Sequence, residues 1–327
     1  MKKKILCLVL SAVMLILGCC LPAAAVELLP EEEIILVAEE VAEGPYETPY
    51  EDSRYLSYGE YVLHFRVKEA VNPVGQIMMI HGFALSGYCW ENLANILVEN
   101  GYTCVLVDLP GYGYSTRETT KTERIARTEL VHALMTYLSD DAWIVAGHSM
   151  GGYYAQGMMQ EYPESVSALL LYGTAGNAGM SDGIKNMFTF APVITVMGAM
   201  MEMLVKMDFV FNMMLRMGLQ DDEYYATYDV AKVKDPLSIK GTGKGAIYCF
   251  TEVPATDFLG LRTCGKPIFY CNGTLDNVIP QADRVKFAAH LPSDAVCVDV
   301  EGGGHMFIEN MAEAVSAYTL AFLKTVK

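Results

Sequence analysis

Positive charge is the scarcest commodity in this chain. Over 327 residues, 23 Lys and Arg face 39 Asp and Glu, a formal net charge of −16. A surface of that sign repels phosphate backbones and anionic lipids alike, so nucleic acid and anionic membranes are excluded as partners. No basic run or basic–aromatic alternation offsets it. Signatures of metals and cofactors are missing too. There is no Cys-x-x-Cys pair for structural zinc and no Gly-x-Gly-x-x-Gly for a dinucleotide. Gly241-Thr242-Gly243-Lys244-Gly245 lacks the P-loop spacing and reads as a flexible loop. The expectation is a protein without metal, nucleotide or flavin.

Apolar runs long enough to cross a membrane are also lacking. The run over 5–17 is 13 residues, follows Lys2, Lys3 and Lys4, and precedes Ala23-Ala24-Ala25. It is short for a span and fits a secretory signal over residues 1–25. A second route competes: Ile16-Leu17-Gly18-Cys19 resembles a bacterial lipobox, in which Cys19 would carry lipid. An uncleaved anchor is the third. Each predicts export, with membrane contact only through a lipid anchor or uncleaved signal. Removing residues 1–25 takes three lysines and no acid, moving the formal charge from −16 to −19.

Of nine cysteines, Cys7, Cys19 and Cys20 lie in the signal region. The other six are Cys89, Cys104, Cys249, Cys264, Cys271 and Cys297. An even number in an exported protein permits disulfides. Cys104, Cys271 and Cys297 sit in apolar strand-like runs, where cysteine also serves as a small core residue. Pairing is left open.

What is present is organised. Residues 26–52 are acidic and carry Gly44, Pro45 and Pro49, the composition of a solvated linker. From Tyr55 a period-two pattern around Tyr58-Gly59-Glu60 predicts a β-hairpin. Strand runs then follow at 76–81, 103–109, 142–146, 168–172, 267–271 and 295–300. Helical patterns alternate with them at 90–99, 122–138, 152–161, 281–290 and 308–324. Alternation of this kind implies an α/β fold, a mostly parallel sheet flanked by helices, with the hairpin at one edge. The core is expected over 53–174 and 256–327.

Between Tyr172 and Pro267 the alternation stops for far longer than an ordinary connection. That stretch concentrates methionine, including Met187, Met197, Met200, Met201, Met203, Met207, Met213, Met214 and Met217. It is read as an inserted helical cap over 175–255. Most of the methionines fill its own core, and some face a site below as an adaptable apolar wall.

The chemistry converges on Gly147-His148-Ser149-Met150-Gly151, between a strand run and a helix. A Gly-x-Ser-x-Gly pattern in that context makes a sharp turn that lifts the serine hydroxyl into open space. Met150 N–H, at the helix N-terminus, can stabilise an oxyanion. Three further motifs follow the same order: Ile80-His81-Gly82-Phe83, then Asp108-Leu109-Pro110-Gly111, then the pair Thr274-Leu275-Asp276-Asn277 and Gly302-Gly303-Gly304-His305.

In these motifs the chain resembles the α/β-hydrolase family over residues 55–325. The resemblance implies a serine hydrolase of the esterase or lipase branch acting without cofactor. It assigns Ser149 as nucleophile, His305 as base and Asp276 as orienting acid, with Phe83 and Met150 N–H as oxyanion hole. His81 then shapes the oxyanion loop and Asp108 braces its own loop. His148 is expected to point away from the site, and His64, His132 and His290 to be packing or surface residues. The implied substrate is a small-molecule ester with a lipophilic acyl group. Alternatives with the same triad are C–C bond hydrolysis and haloperoxidase or perhydrolase activity. From another class, an exported ligand-binding protein remains.

Overall fold

The computed structural model describes residues 36–118 and 124–326. The signal and lipobox readings at residues 1–25 lie outside them. Nine strands form one sheet in the order β1-β2-β3-β5-β4-β6-β7-β8-β9. The hairpin of β2 (Ser53–Tyr58) and β3 (Tyr61–Lys68) closes over the Tyr58-Gly59-Glu60 turn. It is buried through Leu56, Leu63 and Phe65, and β3 pairs antiparallel with β5 (Tyr102–Val107). From there β4 (Gly75–Ile80), β6 (Trp143–His148), β7 (Val166–Tyr172), β8 (Ile268–Gly273) and β9 (Val296–Val300) run parallel. All six residues of β6 are buried, as a central strand covered on both faces requires.

The acidic stretch is not all linker. Glu39–Val41 forms β1, paired antiparallel with β2 at the sheet edge. Arg54 Nε and Nη2 donate to the Glu40 carboxylate at 2.8 and 2.7 Å, so this glutamate anchors an edge strand through a two-point ion pair. Tyr50, further along, lies beneath the Arg66 guanidinium, 4.1 Å from its ring centre.

Helices α1 (Glu91–Glu99) and α13 (Ala312–Leu323) pack together and against β5, β8 and β9. Helices α2 (Arg127–Leu138) and α3 (Met150–Glu161) pack together and against β2, β4, β6 and β7. The helix expected over 281–290 is α11 (Gln281–Ala288), and the one expected over 308–324 is two pieces, α12 (Phe307–Asn310) and α13, separated at Met311. Because β4 neighbours both β5 and β6, the chain changes direction across the sheet at β4. The crevice outside the carboxyl ends of β4 and β6 is where an open α/β sheet builds a site.

Seven helices lie between β7 and β8: α4 (Asp182–Thr189), α5 (Ala191–Lys206), α6 (Asp208–Leu219), α7 (Asp222–Thr227), α8 (Ala231–Ser238), α9 (Thr242–Thr251) and α10 (Phe258–Thr263). Arg117 ties this insertion to the core. Its guanidinium donates to the carbonyls of Tyr112, Gly113 and Ser115, to Pro236 O of α8 and to Thr242 Oγ1 of α9. At the same seam Gly111, with φ +94°, meets Gly245 so closely that a Cβ on Gly111 would lie 2.6 Å from the Gly245 carbonyl. Contrary to expectation, most of the methionines named above do not fill a core of the insertion: Met187, Met200, Met203, Met207, Met213, Met214 and Met217 are exposed, and only Met197 and Met201 are partly buried. Among the described residues no single helix is long and apolar enough to cross a membrane. Cys89, Cys104, Cys249, Cys264, Cys271 and Cys297 are all free thiols, the first three and Cys271 buried in the core.

Candidate active site

The turn between β6 and α3 is as tight as its glycines allow. A Cβ on Gly147 would sit 2.3 Å from Gly151 O, and one on Gly151 would sit 2.1 Å from Ile80 O. Neither position has room for a side chain. Ser149 itself is at φ 53°, ψ −119°, backbone that a non-glycine residue adopts only under constraint. Its N–H donates to Tyr172 O at 2.9 Å, fixing the turn to β7.

Three residues from distant parts of the chain meet there. His305 Nε2 lies 2.9 Å from Ser149 Oγ, and His305 Nδ1 lies 2.9 Å from Asp276 Oδ2. Asp276 follows β8, and its other oxygen accepts the N–H groups of Val278 and Ile279 at 2.8 and 3.0 Å. Burial pushes this carboxyl up. The His305 hydrogen bond and charge, with the two N–H groups, outweigh burial and hold it below its ordinary value. Asp276 and His305 are buried, while Ser149 is partly open to the cavity above it.

The loop after β4 approaches Ser149 closely, since a Cβ on Gly82 would lie 3.1 Å from Ser149 Cβ. His81 holds that loop: Nδ1–H donates to Gly82 O at 2.7 Å and Nε2 accepts Leu109 N–H at 3.1 Å. Burial lowers its pKa, in keeping with a neutral ring. Phe83 borders the cavity, and Met150 opens α3. Asp108 is spent elsewhere, accepting from His64 Nδ1 and from the N–H groups of Gly87 and Tyr114. His64 is thus a buried partner of Asp108, and His132 stacks on Tyr162.

His148 departs from expectation. Its ring does not turn away from His305: it is fully buried and lies 5.0 Å, centre to centre, from the His305 ring. Its Nε2–H donates to His305 O at 2.8 Å. Adjacency to Ser149 was visible in the sequence, but the return of the loop carrying His305 beneath that ring was not. Glu309 is a second residue without a sequence signal. It is fully buried, hydrogen-bonded to Tyr228 of the insertion, and burial raises its carboxyl to about 8.

The cavity over Ser149 has a volume of about 410 Å³. Met201, Leu204 and Val205 of α5, Phe211, Met214, Leu215 and Met217 of α6, and Val233 and Leu237 of α8 roof it. Among the described residues that line it, the only Asp, Glu, Lys or Arg is Glu202, whose carboxylate accepts Gly241 N–H at 2.9 Å. A larger, shallower hollow of about 760 Å³, around Phe209, Met213 and Arg216, includes neither Ser149 nor His305. Among the described residues no three His, Cys, Asp or Glu side chains are grouped as a metal would need.

The profile of the alpha/beta hydrolase fold family matches residues 76–311. This chain belongs to that family. A Klebsiella pneumoniae 2-hydroxy-6-oxononadienedioate/2-hydroxy-6-oxononatrienedioate hydrolase is 30% identical over 168 residues, 47% of this chain and 58% of that one. Protein ABHD14A of Danio rerio is 28% identical over 133 residues, covering 38% and 49%. The chain thus spans about half the length of these curated relatives. Among solved structures, a thermophilic esterase from Thermogutta terrifontis aligns with TM-score 0.65 at 18% identity, covering 88% of this α/β-hydrolase and 99% of that chain. At that identity the likeness is one of fold.

Proposed function

We propose that this α/β-hydrolase is a serine hydrolase that cleaves carboxylic esters of lipophilic acyl groups through an acyl-enzyme. The observation that carries the reading is the unbroken relay Ser149–His305–Asp276, with 2.9 Å at each step, on the floor of an apolar cavity. A serine hydroxyl is a poor nucleophile at neutral pH unless a base takes its proton. His305 Nε2 takes it as Ser149 Oγ attacks the ester carbonyl. Asp276 keeps the other ring proton on Nδ1 and stabilises the imidazolium. The N–H groups of Phe83 and Met150 receive the oxyanion, each worth on the order of 3 kcal/mol. His305 then protonates the leaving alkoxide, and water, deprotonated by the same ring, releases the acid.

The methionine-rich helices act in this reading as a cap that selects the acyl group. A cavity wall of methionine, leucine and valine takes apolar chains of varied shape. It also argues against a dicarboxylate of the kind named for the Klebsiella relative. Among the described residues no Lys or Arg lines the cavity, and the Glu202 carboxylate, held by Gly241 N–H, would repel an anion. C–C bond hydrolysis of an uncharged diketone by the same relay is the second reading. Export is part of the proposal, resting on the residue 1–25 pattern.

The test is a fluorophosphonate probe with the adduct located by peptide mass, beside a p-nitrophenyl ester chain-length series. Ser149 should be the labelled residue, and Ser149→Ala should lose both label and turnover while melting like the parent. Ester turnover surviving in that variant would sink the mechanism.

A further inference from the structure

The peptide unit between His305 and Met306 is gripped at both ends. Its carbonyl accepts His148 Nε2–H at 2.8 Å, from the residue directly before the nucleophile. Its N–H donates to Gly218 O at 2.9 Å, in the last turn of α6. Upstream run Gly302, Gly303 and Gly304, with Gly302 at φ +77°. Three glycines impose little order of their own, so the place of His305 must be set by what holds it. On the cap side the fit is close: a Cβ on Gly304 would lie 2.8 Å from both Gly218 O and Leu219 O.

We propose that His148 is a positioning residue: it fastens the His305–Met306 peptide to the nucleophile turn, so that base and nucleophile ride on one rigid unit. The cap carbonyl of Gly218 grips the opposite edge of the same peptide. This inference rests on the hydrolase reading of the site and adds the element that fixes its base.

The chemistry of His148 fits that task. A carbonyl only accepts, so the His148 proton is on Nε2 and Nδ1 is left with a bare lone pair. Nδ1 is buried and has no partner among the described residues. It faces Gly82, where an added Cβ would be 3.0 Å away. Burial, and then the charge on His305, push the His148 pKa down to about 3, so the ring stays neutral and keeps this tautomer. A buried lone pair without a donor is unfavourable, and a leucine here would avoid it. What only the imidazole supplies is the N–H aimed at His305 O.

The test uses His148→Gln, His148→Asn and His148→Leu in the full chain. A glutamine amide reaches about as far as Nε2, asparagine is too short, and leucine has no donor. His148→Gln should keep kcat within about threefold, and the other two should lose about 10- to 100-fold in kcat with KM within about twofold, the scale of a misplaced base. A second readout is independent of turnover: the downfield NMR signal of the His305 Nδ1 proton bound to Asp276. It should persist in wild type and His148→Gln and broaden or vanish in the others. Equal kcat in the Gln and Asn variants overturns the proposal, as does a loss confined to KM. If wild type neither turns over esters nor takes the fluorophosphonate, the hydrolase reading fails, and the proton signal still decides whether His148 positions His305.

Discussion

Replacing Asp276 by asparagine separates orientation from scaffolding. Oδ1 anchors its loop through Val278 and Ile279 N–H, while Oδ2 alone faces His305 Nδ1. Those two N–H groups demand an acceptor, so in Asp276→Asn the amide oxygen stays with them and the NH2 turns toward His305. Two donors cannot share a bond, so the imidazole must present a lone pair at Nδ1 and move its proton to Nε2. The proton then points at Ser149 Oγ, where a base is needed. The structure survives and the tautomer is wrong, a change worth on the order of 10⁴ in kcat, or about 5.4 kcal/mol. Steady-state kinetics on a p-nitrophenyl ester, with a thermal melt to show an unchanged fold, measures it. The melting temperature should stay within a few degrees, because the loop anchors remain. A kcat within tenfold of wild type would refute the assignment of Asp276, and a collapsed melt would refute the division of labour between its oxygens.

Glu309 should give stability a distinctive pH dependence. Burial raises its carboxyl to about 8, with Tyr228, Tyr88, Tyr224 and Cys89 nearby and, among the described residues, no cation bonded to it. The unfolded chain releases this proton at ordinary carboxylate pH and the folded chain holds it. Stability therefore falls as pH rises from about 5 to about 8, by up to about 1.4 kcal/mol per pH unit. Glu309→Gln should flatten that slope in thermal melts across the range, and parallel slopes would count against the buried carboxyl. Gly151→Ala should fail to fold or lose more than about 3 kcal/mol in denaturant titration, because its Cβ meets the Ile80 carbonyl at 2.1 Å, against backbone that cannot step aside.

The parallel strands were legible because each is a short apolar run between turn residues, and the motifs sit at their ends. The turn at Ser149 was legible for the same reason: Gly147 and Gly151 flank it at a strand-to-helix junction, and neither has room for a side chain. The short strand β1 was not. Its pairing uses backbone, and its side chains Glu39 and Glu40 look like solvated charge until Arg54 is found opposite. The role of His148 was hidden for a different reason. Local sequence states which residue precedes Ser149, whereas the bond to His305 O spans 157 residues and depends on how a glycine loop returns. The methionines told of an apolar lining, but which of them face Ser149 follows from how α5 and α6 cross it. The cysteines could not be paired on paper, and in the fold Cys104 and Cys271 are core filling within β5 and β8.

The contact between Gly111 and Gly245 bears on how this fold could diversify. There the α/β core and the helices above it touch main chain to main chain, with no side chain between them to absorb a shift. A roof borrowed from another hydrolase would seat only if it brought a glycine to that point at the same height. Change of diet is therefore easiest by altering single residues on the underside of the existing roof, and hardest by exchanging the roof whole.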